Sequence, residues 1–173
     1  MLVTVEETTY YRSRRRQRVI EVPSPQERAE QIRRYIDRVN QFYHQISEWL
    51  REYPNVVITK TPLEMNEEGL DDYWIDQLII TLNHGQDENV VKIKPEGANV
   101  IMCEGLLQIG LEFLAYMLKD SPQLWVDRQT GLPKPAYEGI DVDGWYWIES
   151  RGEGYAHFVN KPLLLKLVDF PGK

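Results

Sequence analysis

Residues 24–51, SPQERAEQIRRYIDRVNQFYHQISEWLR, decide the fold. Ala29, Ile32, Ile36, Val39, Tyr43, Ile46 and Leu50 follow one another at steps of three and four, the spacing of one face of an α-helix. Tyr35, Phe42 and Trp49 widen that stripe on one flank, which makes it broad enough to cover a sheet. Ser24 is a favoured N-cap, Pro25 suits the first helical position, and Glu27 completes a Ser-x-x-Glu capping box. At the other end, Pro54 turns Tyr53 away from helical angles. The sequence therefore predicts a long helix from about Pro25 to Arg51, with Arg33, Arg34, Arg38, His44 and Arg51 on its wet side.

Downstream the periodicity changes to that of strands. Val56 to Thr59 predicts a short strand ended by Pro62, and Tyr73 to Leu82 a longer one rich in β-branched and aromatic residues. Val91 and Ile93 alternate with Val90, Lys92 and Lys94. Pro95-Glu96-Gly97 has turn chemistry, since proline presets φ and glycine accepts a positive one. Ala98 to Cys103 is expected as a third strand. Leu106 to Leu118 carries both periods, and the short glycine turns before it favour a strand of an antiparallel meander. Asp120 to Glu138 reads as loop, with Leu124-Trp125-Val126 as an edge strand within it. Asp143-Gly144 predicts a turn into Trp145–Ser150, and Asn160 caps a closing helix over 162–170.

Strands grouped together, rather than alternating with helices, indicate α+β. The expected architecture is a long N-terminal amphipathic helix packed on a mostly antiparallel sheet of about five strands, with a short C-terminal helix. Residues 1–22 form an extended Arg-rich arm or edge strand, and residues 23–173 a single α+β domain.

Charge is divided along the chain. Residues 1–51 hold ten Arg, no Lys and seven acids, a balance of +3; residues 52–173 balance at −10, for −7 overall. The sharpest local feature is the run Arg12, Arg14, Arg15, Arg16 and Arg18. An extended chain would set Arg12, Arg14, Arg16 and Arg18 on one face. Guanidinium groups pair bidentately with phosphate or carboxylate, so this run suits either a nucleic acid or an acidic protein surface, including the chain's own acidic remainder. Trp145 and Trp147, two apart on a strand, offer either packing under the helix or an aromatic platform for a partner.

The chemical motifs are sparse. There is no phosphate-binding loop, dinucleotide fingerprint, zinc-protease helix or nucleophile elbow. Cys103, His44, His84 and His157 are scattered singly, so neither a zinc site nor any other metal or cofactor is expected. A single Cys excludes an intrachain disulfide and favours a reducing compartment. The longest apolar run, Phe113 to Leu118, is too short to span a bilayer, and the first residues lack a signal-like apolar core. Asp141, Asp143 and Glu149 form part of a calcium-loop pattern but miss its first and last ligand positions. His157 is the histidine best placed for acid–base work.

The leading expectation is a cytoplasmic, non-catalytic interaction protein, an accessory subunit or inhibitor, binding a protein partner through the Arg12–Arg18 arm and the Trp145/Trp147 strand. The alternatives are a nucleic-acid-binding accessory protein that uses the same arm, and a hydrolase or nuclease built on Asp141, Asp143 and His157.

Overall fold

The computed structural model describes residues 8–13, 16–100, 102–149 and 154–169, with backbone alone for those before Val22 and for His84. The first described elements are an antiparallel pair, β1 (Thr8–Ser13) and β2 (Arg16–Glu21), which forms its own two-stranded sheet. Helix α1 (Pro25–Leu50) follows. Then come β3 (Val56–Met65), β4 (Tyr73–His84), β5 (Asp87–Gly97), β6 (Leu106–Ile109) and β7 (Glu112–Met117). A hairpin of β8 (Leu124–Val126) and β9 (Pro133–Pro135) interrupts the sequence. The last elements are β10 (Gly144–Ile148), β11 (Ala156–Phe158) and α2 (Lys161–Leu167).

The main sheet has seven strands in the order β11-β10-β7-β6-β5-β4-β3, all antiparallel. From β3 to β11 it is a plain meander, with the β8–β9 hairpin left out. The α+β class with an antiparallel sheet therefore holds, and the expected five strands become seven. Leu106 to Met117 is indeed extended, but it folds back at Gly110 (φ +58°) and Leu111 to make two strands. The three-residue β11 is not among the expected strands.

Helix α1 begins with the expected box. Glu27 N–H donates to Ser24 Oγ at 3.1 Å, and Ser24 N–H donates to the Glu27 carboxylate at 2.7 Å. Its buried residues are Tyr35, Val39, Phe42, Tyr43, Ile46 and Leu50, whereas Ala29 is exposed and Ile32 and Ile36 are half-buried. The covered stripe thus centres toward Tyr35 and Phe42, the side expected to be its flank. Burying each such side chain contributes about 1.5–3 kcal/mol.

Two tyrosines on that stripe explain the rotation. Tyr43 Oη–H donates to Asp76 O at 2.8 Å, with Ile93 O at 3.3 Å, and Leu78 N–H donates to the same oxygen. This is where β4 leaves β5: their pairing ends at Leu78↔Ile93 while β3 and β4 continue to Met65↔Tyr73 as a two-stranded ribbon. Burial on β4 alternates through Leu82, Ile80 and Leu78, then changes phase to Ile75 and Tyr73, as expected of a strongly twisted ribbon. Eight residues earlier, Tyr35 Oη–H donates to Leu106 O at 2.6 Å and accepts from Gly97 N–H at 3.4 Å. That is the register shift between β5 and β6 at Pro95–Gly97, so the expected turn is instead a bulge inside β5. Gly105 must be glycine here, because a Cβ would stand 2.6 Å from the Tyr35 ring.

Over 98–100 and 102–103 the chain is a loop, not the strand expected over 98–103, and Ile101 lies outside the described residues. Glu67 holds it: the carboxylate accepts from Ala98 N–H at 3.0 Å, from Asn99 N–H at 2.9 Å and from the Tyr73 hydroxyl. Helix α2 is capped by Asn160, whose side chain accepts from Leu163 N–H at 3.0 Å, and it inserts Leu164 and Val168 into the core under α1. Lys161 at its first turn meets Glu52 just past the end of α1.

A smaller core lies on the opposite face at the β7–β10–β11 end. Ala115, Met117, Tyr146 and Ala156 pack there with Cys103, Tyr137 and Ile140. It fastens the long segment 118–143 to the sheet: Tyr146 Oη–H donates to Val142 O at 2.7 Å, and Asp143 accepts from Lys119 N–H at 2.7 Å. This anchoring sets the β8–β9 hairpin beside the end of β10 and β11. Among the described residues, no helix is long and apolar enough to cross a membrane.

Candidate functional site

The sequence-nominated residues are scattered. Arg12, Arg16 and Arg18 lie on the β1–β2 pair, and Arg14 and Arg15 fall outside the described residues. The register sets Ser13 opposite Arg16, Tyr11 opposite Arg18 and Arg12 opposite Gln17. Cross-strand partners share a face, so the single arginine face of an extended arm is replaced by positions on both faces of a ribbon. Trp145 is only 5% exposed. It stacks on Phe42 with ring centres 5.6 Å apart, meets Tyr116 edge-on, and donates Nε1–H to Arg38 O at 3.3 Å. It packs under the helix, and its edge lines a groove with Arg38, Phe42 and Tyr116. Trp147 is half-buried and donates Nε1–H to Glu112 at 2.9 Å.

Asp141, Asp143 and His157 do not assemble into one centre: Asp141 and His157 line a common cleft of about 420 Å³, and Asp143 stands outside it. Asp143 is occupied as a loop tie, and His157 meets Glu149 instead. No group of three His, Cys, Asp or Glu among the described residues is arranged to hold a metal ion. The Cys103 thiol is pushed up to about 11 by burial, which makes it a poor nucleophile at neutral pH.

A different site emerges between the β8–β9 hairpin and the β10–β11 edge. It is a cleft of about 790 Å³ lined by Trp125, Lys134, Glu138, Glu149, Tyr155 and His157. Its floor is built by main-chain pairing. Glu138 N–H donates to Gly154 O at 2.8 Å, and Ala156 N–H donates to Glu138 O at 2.9 Å, a parallel bridge alongside β11. Two glycines with positive φ permit this approach. A Cβ on Gly154 would lie 2.7 Å from Ala136 O, and one on Gly139 2.7 Å from Ala156 O. Gly154 is thus a close-packing position. Gly152 lies outside the described residues.

Within the cleft the His157 ring lies 5.2 Å from that of Trp147 and 4.9 Å from that of Tyr155. Its Nε2 is 3.4 Å from a Glu149 oxygen, a contact whose geometry makes no hydrogen bond, and that nitrogen is enclosed with no hydrogen-bond partner among the described residues.

The hairpin forming one wall is unusual in its surface. Leu124, Trp125 and Val126 are 54%, 52% and 66% exposed, and Leu132 is 64% exposed. Its turn is nevertheless well built: Asp127 accepts from Gln129 N–H at 2.7 Å and Thr130 N–H at 3.3 Å, which lowers its carboxyl below the ordinary range. Asp127 N–H closes on Leu132 O at 3.0 Å, and Ala136 N–H on Gln123 O at 2.8 Å. Pro133 and Pro135 deny β9 two amide donors, so this hairpin presents side chains rather than a sheet edge. The sequence named Leu124–Val126 as a strand; nothing in its local pattern told that all three residues face outward. Comparison with protein-family models, with curated proteins and with solved structures finds no match for this chain.

Proposed function

We propose that this chain is a non-catalytic interaction protein that docks a protein partner on the β8–β9 hairpin and the cleft beside it. The observation that carries this reading is the outward display of Leu124, Trp125, Val126 and Leu132 on a hairpin held rigid by Asp127. An isolated two-stranded hairpin is marginal in water, and neighbouring exposed apolar side chains on one are a cost unless something covers them. The expected arm–tryptophan surface is thus redrawn, with Trp125 taking the place of the buried Trp145.

The test is binding to a partner captured from source cells, identified, and then purified. Trp125→Ala and Val126→Glu should each weaken that binding by about 30-fold or more, the effect of losing an interface hot spot of ~2 kcal/mol. Because both side chains are exposed, unfolding free energy should change by no more than ~0.5 kcal/mol. Unaltered affinity in both variants would overturn the reading.

A second reading rests on β1–β2. A two-stranded ribbon fits the major groove of DNA, and here it carries Arg12, Arg16 and Arg18. It requires fluorescent duplex or single-stranded oligonucleotides to bind with an affinity that falls steeply with salt. Replacing Arg16 and Arg18 by Ala should reduce that salt slope by about two, one for each lost phosphate contact. Salt-insensitive binding, or none, sinks it.

A further inference from the structure

Building on the protein-docking reading, we propose that the cleft beside the β8–β9 hairpin receives an arginine side chain of the partner, between Trp125 and Tyr155 and against Glu138 and Glu149. Four observations converge on a planar cation. Two exposed aromatic side chains, Trp125 and Tyr155, line the cleft, and aromatic faces attract cations. Glu138 makes no ion pair among the described residues, and Glu149 has only the hydrogen-bond-free contact with His157, so carboxylate oxygens remain to accept N–H donors. Lys134, the one permanent cation among the described lining residues, shares the field of Asp127 on the same hairpin. The walls are fixed in advance by the Glu138–Gly154 and Ala156–Glu138 hydrogen bonds, which limits the ordering needed on binding.

Arginine fits better than lysine because its guanidinium both stacks on an aromatic ring and forks across carboxylate oxygens. Its aliphatic stem would lie along the apolar hairpin, with Leu124, Val126 and Leu132 meeting the residues around it. The occupant is thus a partner segment that is apolar around one arginine. Among the described residues an anion meets Lys134 and His157 there, facing two carboxylates.

The probe is Nα-acetyl-arginine N-methylamide, titrated into the full ¹⁵N-labelled chain and followed by NMR. The Trp125 indole N–H and the amides of Glu138 and Tyr155 should shift and saturate. The citrulline analogue, of the same shape but uncharged, should bind about tenfold more weakly, as should the arginine compound with a Glu138→Gln, Glu149→Gln double variant, the loss expected on removing charge-assisted hydrogen bonds. The probe reports on the pocket alone and the purified partner on the whole docking surface, so failure of the pocket and failure of the docking surface can be told apart. Equal binding of the citrulline analogue, shifts that never saturate, or a double variant that folds and binds like the wild type would each overturn the proposal. So would self-association in sedimentation that the double variant abolishes, because the arginine would then come from a second copy of the chain.

Discussion

Tyr43→Ala should lower the unfolding free energy by about 3–5 kcal/mol, the range for deleting a fully buried aromatic ring. The ring is 0% exposed and sits in the middle of the helix–sheet interface. Tyr43→Phe isolates the hydroxyl and should cost about 1–3 kcal/mol. The hydroxyl stands where β4 has left β5, and it serves Asp76 O and Leu78 N–H, backbone groups at the point where that ladder ends. Phenylalanine fills the same volume but leaves those groups dry and unpartnered, and that penalty exceeds the net worth of an ordinary hydrogen bond. Urea unfolding of the wild type and the two variants measures both steps. A Tyr43→Phe protein as stable as the wild type would mean that the split strands find partners without it.

The two tyrosine contacts also mark the limit of what the sequence discloses. Helix α1 was legible because its signals are local: Ser24 and Glu27 cap each other, and the apolar steps need no knowledge of the sheet. The strand character of Leu106–Met117 was legible for the same reason, through alternation and glycine. Pro95-Glu96-Gly97 was not. Its turn chemistry is real, yet Tyr35, 62 residues away from Gly97, supplies an oxygen that keeps the segment in the sheet as a bulge. Ala98 to Cys103 has strand composition, and Glu67 from another loop takes its amides away from any ladder. In both places a distant polar side chain overrides a local preference.

The candidate site shows the same division. His157 and the acidic residues around it could be singled out by type, but the pairing of His157 with Glu149 across the β10–β11 hairpin required the register. Trp145 and Trp147 share a face as alternation requires, and α1 decides that Trp145 is spent on the core. Trp125 drew less notice because it sits among prolines in a loop-like stretch. Its prominence comes from Asp127, which folds the turn, and from the smaller core beneath 136–143, which holds the hairpin away from the sheet. The same segment supplies Glu138, so one anchoring event builds both the apolar wall and one carboxylate of the cleft.

Stability should fall steeply once the pH exceeds about 10. Burial raises Tyr35, Tyr43 and Tyr73 above the ordinary phenol range, and the Glu67 carboxylate adds to the effect at Tyr73. Burial also holds the Cys103 thiol up to about 11. In the unfolded chain the thiol loses its proton near pH 8.5 and each phenol near pH 10. Above those values the folded protein therefore binds more protons than the unfolded one, and linkage requires stability to decrease with rising pH. Below both values these groups add no pH dependence. Each phenol costs roughly 1.4 kcal/mol for each pH unit beyond its unfolded value, so three tyrosines together remove about 4 kcal/mol by pH 11. Cys103 adds to this from about pH 9 and levels off near its folded value. Urea unfolding at pH 8, 10 and 11 measures the loss, and tyrosinate absorbance at each pH shows its source. Of the ten tyrosines in the chain, these three should ionise only as the fold is lost. Their ionisation in the intact protein, or a constant stability from pH 8 to 11, would show that the helix–sheet interface admits water and that its tyrosines are not the sealed contacts on which the twist of the β3–β4 ribbon depends.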